Sequence, residues 1–460
     1  MKTTLTPNRL AAARAALKKA NQEYARTFPG ESARRQPVHT VYGGAQLFKA
    51  ETARKMGQMA LAALHEYAPD ATALATCLEL DADIARRVHE RILAKLEREP
   101  VEDFRIDFED GYGHRPAEEE DGHAVSTAGE VARGMEQGSL PPFIGIRIKS
   151  LSEELFDRSA RTLELFVGTL LERTGGRLPD DFVVTLPKIT VPEQVTALVR
   201  MLELLEQDRG LESGALKLEL MVETPQSLFD REGRLALPAL VAAAEGRCVG
   251  AHLGVYDYTA AFNITAAYQS MTHPSADFAR EMMQVSLAGT GVALSDGATN
   301  VMPVGPHKPG QSPLTEAQKK ENREVVHRAW RLMHGHTRHS LERAFYQGWD
   351  LHPAQLPVRY ATVYAFFLEG LDAASRRLKS FIEKAAQATL LGDVFDDAAT
   401  GQGLLNYFLR GLACGALTEE EARAAGLTLE ELRSRSFLKI LEGRRKTDAP
   451  GAPTPSAARR

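Results

Sequence analysis

Leu216-Lys217-Leu218-Glu219-Leu220-Met221-Val222-Glu223-Thr224-Pro225-Gln226 decides how the rest of the chain is read. It opens as an apolar run with strand character and ends in a carboxylate, a Thr-Pro turn and the start of a helix. A carboxylate at the carboxyl end of a buried strand sits where α/β folds place their ligands. Taken alone, Glu223 reads better as a cap for the helix opening near Pro225. The balance turns because the chain repeats the arrangement, with functional side chains at matching positions.

Upstream, Pro37–Gly44 reads as a strand ending in a glycine turn, after a helix over 8–27. A helical region runs from about Ala45 to Glu99, and Phe104–Gly113 is an alternating strand that turns. The acidic segment Pro116–Gly138 reads as a helix-bearing insertion. Phe143–Lys149 and Phe182–Lys188 are strands, followed by helices over about 152–174 and 192–208. Downstream, Cys248–Asp257, Gly291–Gly297 and Trp349–Pro353 supply the sixth, seventh and eighth strands. Strands alternating with helices imply parallel pairing through right-handed crossovers. About eight such units over some 320 residues is the size and count of a (β/α)8 TIM barrel with insertions. An open doubly wound sheet is disfavoured, because no glycine-rich dinucleotide turn follows the first strand.

The expected organisation is an N-terminal helical segment over 1–36, a barrel over 37–356, a C-terminal helical extension over 357–445 and a disordered tail over 446–460. Beyond Gln355 the apolar period is helical throughout, and Thr418/Glu421 and Thr428/Glu431 have the capping-box spacing. The tail is Pro/Ala-rich without an apolar period.

Composition bounds the function. The 460 residues are 43% hydrophobic and 25% charged, as in an ordinary globular protein. A net charge of -5 argues against a general nucleic-acid binder. No apolar run approaches the roughly 20 residues of a membrane span, and the first residues lack the apolar core of a signal peptide. Cys77, Cys248 and Cys414 are far apart and odd in number, which fits a reducing cytoplasm.

In a barrel, the carboxyl ends of the strands ring one mouth. There the sequence places Asp107, Glu109, Asp110, Arg147, Lys188, Glu223, Asp257, Asp296 and His352. Such charges must be paired, metal-bound or functional, because burying them separately is costly. Glu223 and Asp257, on adjacent strands, suit Mg²⁺ or another hard cation such as Mn²⁺. Zinc fits poorly, since no His/Cys set has a ligand spacing; His334, His336 and His339 fall on different faces of one helix and read as surface or partner-packing residues. Arg147 is the natural anion receptor, with a salt bridge to Glu109 or Asp110 as the bland reading. Lys188 could neutralise a substrate anion or form a Schiff base, or simply pair with Asp107. The glycines after Glu109-Asp110 allow close backbone approach to a ligand or serve a tight turn. His352 reads as a ligand contact or as a satisfied core histidine.

Asp107-Phe108-Glu109-Asp110, Gly145-Ile146-Arg147-Ile148, Leu186-Pro187-Lys188, Val222-Glu223-Thr224-Pro225 and Gly254-Val255-Tyr256-Asp257 occur in this order. Together with Gly348–Gln355, they resemble the motifs of the citrate lyase β-subunit-like family. That family is also called the HpcH/HpaI aldolase family, of the phosphoenolpyruvate/pyruvate superfamily, and malate synthases share a similar acidic strand and metal pair. The resemblance spans about 37–356. It implies a Mg²⁺-dependent enzyme that makes or breaks a carbon–carbon bond beside a keto or acyl group through a metal-stabilised enolate. Glu223 and Asp257 match the family's metal ligands, and Arg147 matches the residue that binds the substrate's carboxylate or enolate oxygen.

Two departures mark a divergent branch. Tyr256-Asp257 replaces the usual Glu-Asp pair, and the helical extension is larger than in the short lyases. Gly254 and His352 join Arg147 as substrate-binding candidates; Arg147, Asp107, Glu109, Asp110 and Lys188 are the catalytic ones, a proton carrier being required. The expected substrate is a small carboxylate, a 2-keto acid or a CoA thioester, in a possible homo-oligomer. The alternatives are a non-catalytic barrel subunit that binds a protein partner through 357–445, and a phosphoenolpyruvate-utilising enzyme.

Overall fold

Eight short strands pair edge to edge in chain order in the computed structural model of the protein: β1 (His39–Gly44), β2 (Asp103–Asp107), β3 (Phe143–Arg147), β4 (Val183–Leu186), β5 (Lys217–Val222), β6 (Cys248–Leu253), β7 (Ala293–Ala298) and β8 (Gln347–Asp350). Every pairing among them is parallel, and β8 pairs back onto β1, so the sheet closes into the expected (β/α)8 barrel. The structure describes residues 4–30, 34–310, 312–383, 389–391, 394–396, 398–437, 439–440 and 443–444. The tail expected over 446–460 lies outside them.

Alternation along each strand sends Ile106, Ile144, Ile146, Val184, Leu218 and Leu220 into fully buried apolar packing. The opposite face carries polar side chains that satisfy one another. Buried Arg105 donates to Glu219 at 2.9 and 2.6 Å and to Thr185 at 3.1 Å, and it is paired with Asp103. Asp103 accepts from Thr40 at 2.7 Å, and Gln347 donates to Thr40 at 2.9 Å. Buried polar groups persist only when bonded in this way.

The connecting helices stop where glycine permits a left-handed residue. Ala117–Gln137, Phe156–Thr174 and Pro192–Arg209 are followed by Gly138 (φ 60°), Gly175 (φ 67°) and Gly210 (φ 69°). Ala117–Gln137 packs extensively on Phe156–Thr174 and is the barrel's own connecting helix, not an insertion. Its acidic first turn suggested otherwise, but Glu120 is buried and pairs with Lys149 at 3.0 Å.

By compactness the chain divides into two units. The first holds the described residues of Met1–Met59, Glu99–Met302 and Glu342–Pro353, and therefore all eight barrel strands. Its helix Pro7–Thr27 has no buried residue. The second holds those of Ala60–Arg98, Pro303–Leu341 and Ala354–Arg460 and is mostly helical. In it, Arg87 and Arg91, one turn apart, both grip Glu421, at 2.7 and 2.6 Å. Trp330 is fully buried and donates to the Ala354 carbonyl at 2.8 Å. Both capping boxes form, with Thr418 and Thr428 as caps. The extension is not helical throughout: Thr389–Leu391 and Val394–Asp396 pair as an antiparallel ribbon. His336 is buried and His334 bonds Thr362 at 2.9 Å, so these two histidines pack internally and are not surface residues. Among the described residues, no helix is long and apolar enough to cross a membrane.

Candidate active site

Glu223 is the first residue beyond β5 and is 1% exposed. It does not cap the following helix; Thr224 does, accepting from the Ser227 N–H at 3.1 Å, with Pro225 in the first turn. Glu223 is thereby left to the barrel mouth. Its Oε1 accepts the main-chain N–H of Lys188, beyond β4, at 2.7 Å. Its Oε2 lies over Gly254, where a Cβ would stand 2.6 Å away. Burial drives its pKa from 4.5 up to about 7; Arg147 and Lys188 oppose the rise, and Asp257 adds to it.

Lys188 adopts the left-handed conformation at φ 50°, a costly state for a residue with a Cβ and one found at ligand sites. Its ammonium touches Glu109 at 2.9 Å, Asp110 at 3.0 Å and Asp257 at 3.4 Å. Asp107 is not among its partners. Burial alone would lower the Lys188 pKa, but the carboxylates of Glu223, Glu109 and Asp110 outweigh it and hold the ammonium above the ordinary lysine value.

Register places Asp107 beside Arg147. Arg147 grips Asp107 with two parallel bonds, at 2.8 and 2.6 Å, and reaches Glu109 at 3.4 Å. Asp107 also accepts the N–H groups of Glu109 at 3.0 Å and Gly111 at 2.7 Å. Both its oxygens are thus occupied, and Asp107 braces Arg147 and the acidic turn. Gly111 is needed there, because a Cβ would lie 2.6 Å from Asp107 Oδ2. Burial raises the pKa of Glu109 against the pull of Arg147.

Three placements differ from the sequence reading. Asp257 lies not on the sixth strand but in the first turn of the helix Val255–Ala261, 45% exposed. Asp296 belongs to β7, where Arg280 binds it at 2.8 Å inside the protein, so it is not offered to the mouth. His352 follows β8, half-buried, and burial lowers its pKa.

Sequence reasoning passed over Tyr42, His252, Trp349 and Lys149. The Arg147 guanidinium sits 4.9 Å from the Tyr42 ring centre, and that ring lies 4.4 Å from Trp349. Trp349 donates to His252 Nδ1 at 3.2 Å, while His252 Nε2 faces Glu219 at 3.4 Å. An indole N–H can only donate, so Nδ1 carries the lone pair. Lys149 binds the Phe108 carbonyl at 2.6 Å and thereby supports the acidic turn. The one signal available was position: Tyr42 directly precedes Gly43-Gly44.

The mouth therefore offers two carboxylates, Glu223 on the main-chain N–H of Lys188 and Asp257 on its ammonium, and the charge of Asp257 is felt at Glu223. Among the described residues, no group of three or more His, Cys, Asp or Glu is arranged to hold a metal. Hard carboxylate oxygens without His or Cys partners suit Mg²⁺ by their chemistry and do not fit structural zinc.

A family described as "Domain of unknown function (DUF6986)" matches residues 17–440. The chain belongs to that family. No curated protein matches it. Among solved structures, a citrate lyase from Burkholderia xenovorans LB400 aligns over 85% of this chain and 97% of its own, at 16% identity and a TM-score of 0.53. CitE from Mycobacterium tuberculosis, in complex with magnesium, acetoacetate and coenzyme A, aligns over 83% and 98% at 15% identity and a TM-score of 0.46. The Haloferax volcanii malate synthase lead(II) complex aligns over 90% and 99% at 12% identity and a TM-score of 0.43. The citrate lyase match bears out the family resemblance at the level of the fold.

Proposed function

We propose that the protein is a divalent-cation-dependent carbon–carbon lyase acting on a 2-keto acid or acyl-CoA-type substrate. The observation that carries the reading is Glu223: a carboxylate buried at the end of β5, raised to about 7, and left out of helix capping. Acids with pKa values raised by burial cluster at functional sites, which supports the reading. Glu223 and Asp257 would hold the ion. A Mg²⁺ bound there supplies electrostatic stabilisation for the charge that develops on a carbonyl oxygen when a bond β to it breaks.

The chain's own residues do the rest. Arg147, fixed by Asp107 and by the Tyr42 ring, keeps guanidinium N–H groups available for a substrate carboxylate or enolate oxygen. Pre-ordering the fork before substrate arrives saves the cost of fixing it later. Glu109, raised by burial and bonded to Lys188, is the best-placed proton carrier among the acids, since Asp107 has both oxygens occupied. A Schiff base at Lys188 is disfavoured, because an ammonium held above its ordinary pKa is a poor nucleophile.

The test is turnover of oxaloacetate, 4-hydroxy-2-keto acids and malyl or citramalyl thioesters with and without a chelator. Chelator-sensitive cleavage of one of these is expected; cleavage undiminished by chelator would overturn the reading.

A further inference from the structure

Lys188 touches both carboxylates assigned to the ion, and it does so by different routes. Its main-chain N–H holds Glu223 at 2.7 Å, while its ammonium stands 3.4 Å from Asp257. Asp107, Glu109, Asp110, Glu223 and Asp257 meet at this mouth, and among the described residues the cations that touch them are Arg147 and Lys188. Arg147 pairs with Asp107 and Glu109, not with Asp257. Lys188 is therefore the charge that steadies Asp257.

We propose that Lys188 is a resident cation of the ion site: its ammonium, held by Glu109 at 2.9 Å and Asp110 at 3.0 Å, also attends Asp257 at 3.4 Å while no divalent ion is bound, and exchanges that third partner for the substrate's carboxylate once one is. This rests on the metal-site reading above. Charge gives the reason. With all five acids ionised, negative groups outnumber Arg147 and Lys188, so an anionic substrate is repelled. A divalent ion at Glu223 and Asp257 cancels most of that excess and releases Asp257 from its need for an ammonium. Geometry gives the means. The Lys188 main chain stays pinned to Glu223, while its four-carbon stem, with the side chain 34% exposed, has room to swing. The substrate class is accordingly a carboxylate, and the order of binding is ion first, anion second.

The proposal makes opposite demands on one residue: Lys188 weakens ion binding and strengthens anion binding. The test is calorimetry on the full chain, with Mg²⁺ alone and then with oxalate at saturating Mg²⁺. Lys188→Met keeps the stem and deletes the charge; it should bind Mg²⁺ up to about fivefold more tightly, the scale of one part-exposed ion pair, and oxalate about tenfold more weakly. Lys188→Gln should give the same pair of readings, so a poorly behaved Met variant would not leave the matter open. Lys188→Arg keeps the charge and should bind Mg²⁺ no more tightly than the wild type. Equal or weaker Mg²⁺ binding by the neutral variants, or oxalate binding that does not fall, would overturn the proposal while the metal site stands. No Mg²⁺ heat from any form at millimolar ion would instead remove the metal site, and this inference with it.

Discussion

The main-chain N–H of Lys188 meets Oε1 of Glu223 at 2.7 Å, tying the loop after β4 to the end of β5. This bond needs an oxygen but not a charge. Glu223→Gln keeps the acceptor and removes the carboxylate that burial disfavours. The variant should lose Mg²⁺ binding and, without metal at pH 8, melt a few degrees higher than the wild type, since sites built for function cost stability. Calorimetry and thermal melts would check both. Undiminished Mg²⁺ binding would place the ion elsewhere.

The same carboxylate sets a pH dependence. Its folded pKa is raised, from 4.5 to about 7, so the folded state holds the proton more tightly than the unfolded chain does. Its contribution is fully present below pH 4.5 and is lost as pH rises to about 7. At about 1.4 kcal/mol per pKa unit, the loss is on the order of 3 kcal/mol. Ion binding runs the other way, because the ligand must be deprotonated. Mg²⁺ affinity should climb roughly tenfold per pH unit below about 7 and level off above it. Titrations between pH 5.5 and 8.5 would show a flat profile if Glu223 is not a ligand.

Gly254 makes room for that carboxylate. A Cβ there would lie 2.5 Å from Glu223 Cβ and 2.6 Å from Oε2, although its φ of -90° suits any residue. Gly254→Ala should therefore displace Glu223 without straining the backbone. Supporting positions around metal sites cost 10–100-fold in affinity when changed, and a loss of about that size is expected by calorimetry, with an unaltered circular dichroism spectrum. Wild-type Mg²⁺ affinity in this variant would show that Glu223 Oε2 does not face the ion.

Much of this site was legible because strand ends announce themselves: an apolar run stops at Asp107, Arg147 or Glu223, and parallel pairing then brings those residues to one mouth. The eight strands followed from the same pattern. One cause of failure is that a strand-end charge looks alike whether it faces a ligand or a partner. Asp296 was indistinguishable from Glu223 until Arg280, on the preceding helix, proved to hold it. Lys188 finds Asp110 and Asp257, 78 and 69 residues away, by a left-handed turn that no local pattern signals. Tyr42 and Trp349 carry no mark of a site in the sequence, and only the closed barrel sets them under Arg147 and beside His252. Asp257 stayed one element out of place because Gly254-Val255-Tyr256 continues the apolar run of β6 into the next helix.

A Lys188 Schiff base makes a distinct chemical demand, namely a neutral amine at working pH. Carboxylates at 2.9 and 3.0 Å hold the ammonium charged instead. Borohydride treatment in the presence of pyruvate at pH 7.5 should leave the intact mass unchanged. A reduced pyruvyl adduct mapped to Lys188 would reinstate the covalent route.

The interior pair Arg105–Glu219 tests the barrel itself. Arg105 is 2% exposed and makes two bonds to Glu219, with Thr185 and Asp103 completing its shell. Removing one partner leaves a buried charge under-compensated, at a cost of about 3–5 kcal/mol. Glu219→Leu should accordingly lower the urea midpoint sharply. Replacing both, as Arg105→Met with Glu219→Leu, removes the stranded charge and should recover a good part of the loss. His252 adds a second reading: its Nε2 faces Glu219, so Glu219→Leu also takes away the acceptor that fixes its ring. If the double variant is less stable than the sum of the two single ones, the pair is not what holds this layer of the barrel together, and Thr40, Asp103 and Gln347 would have to carry it.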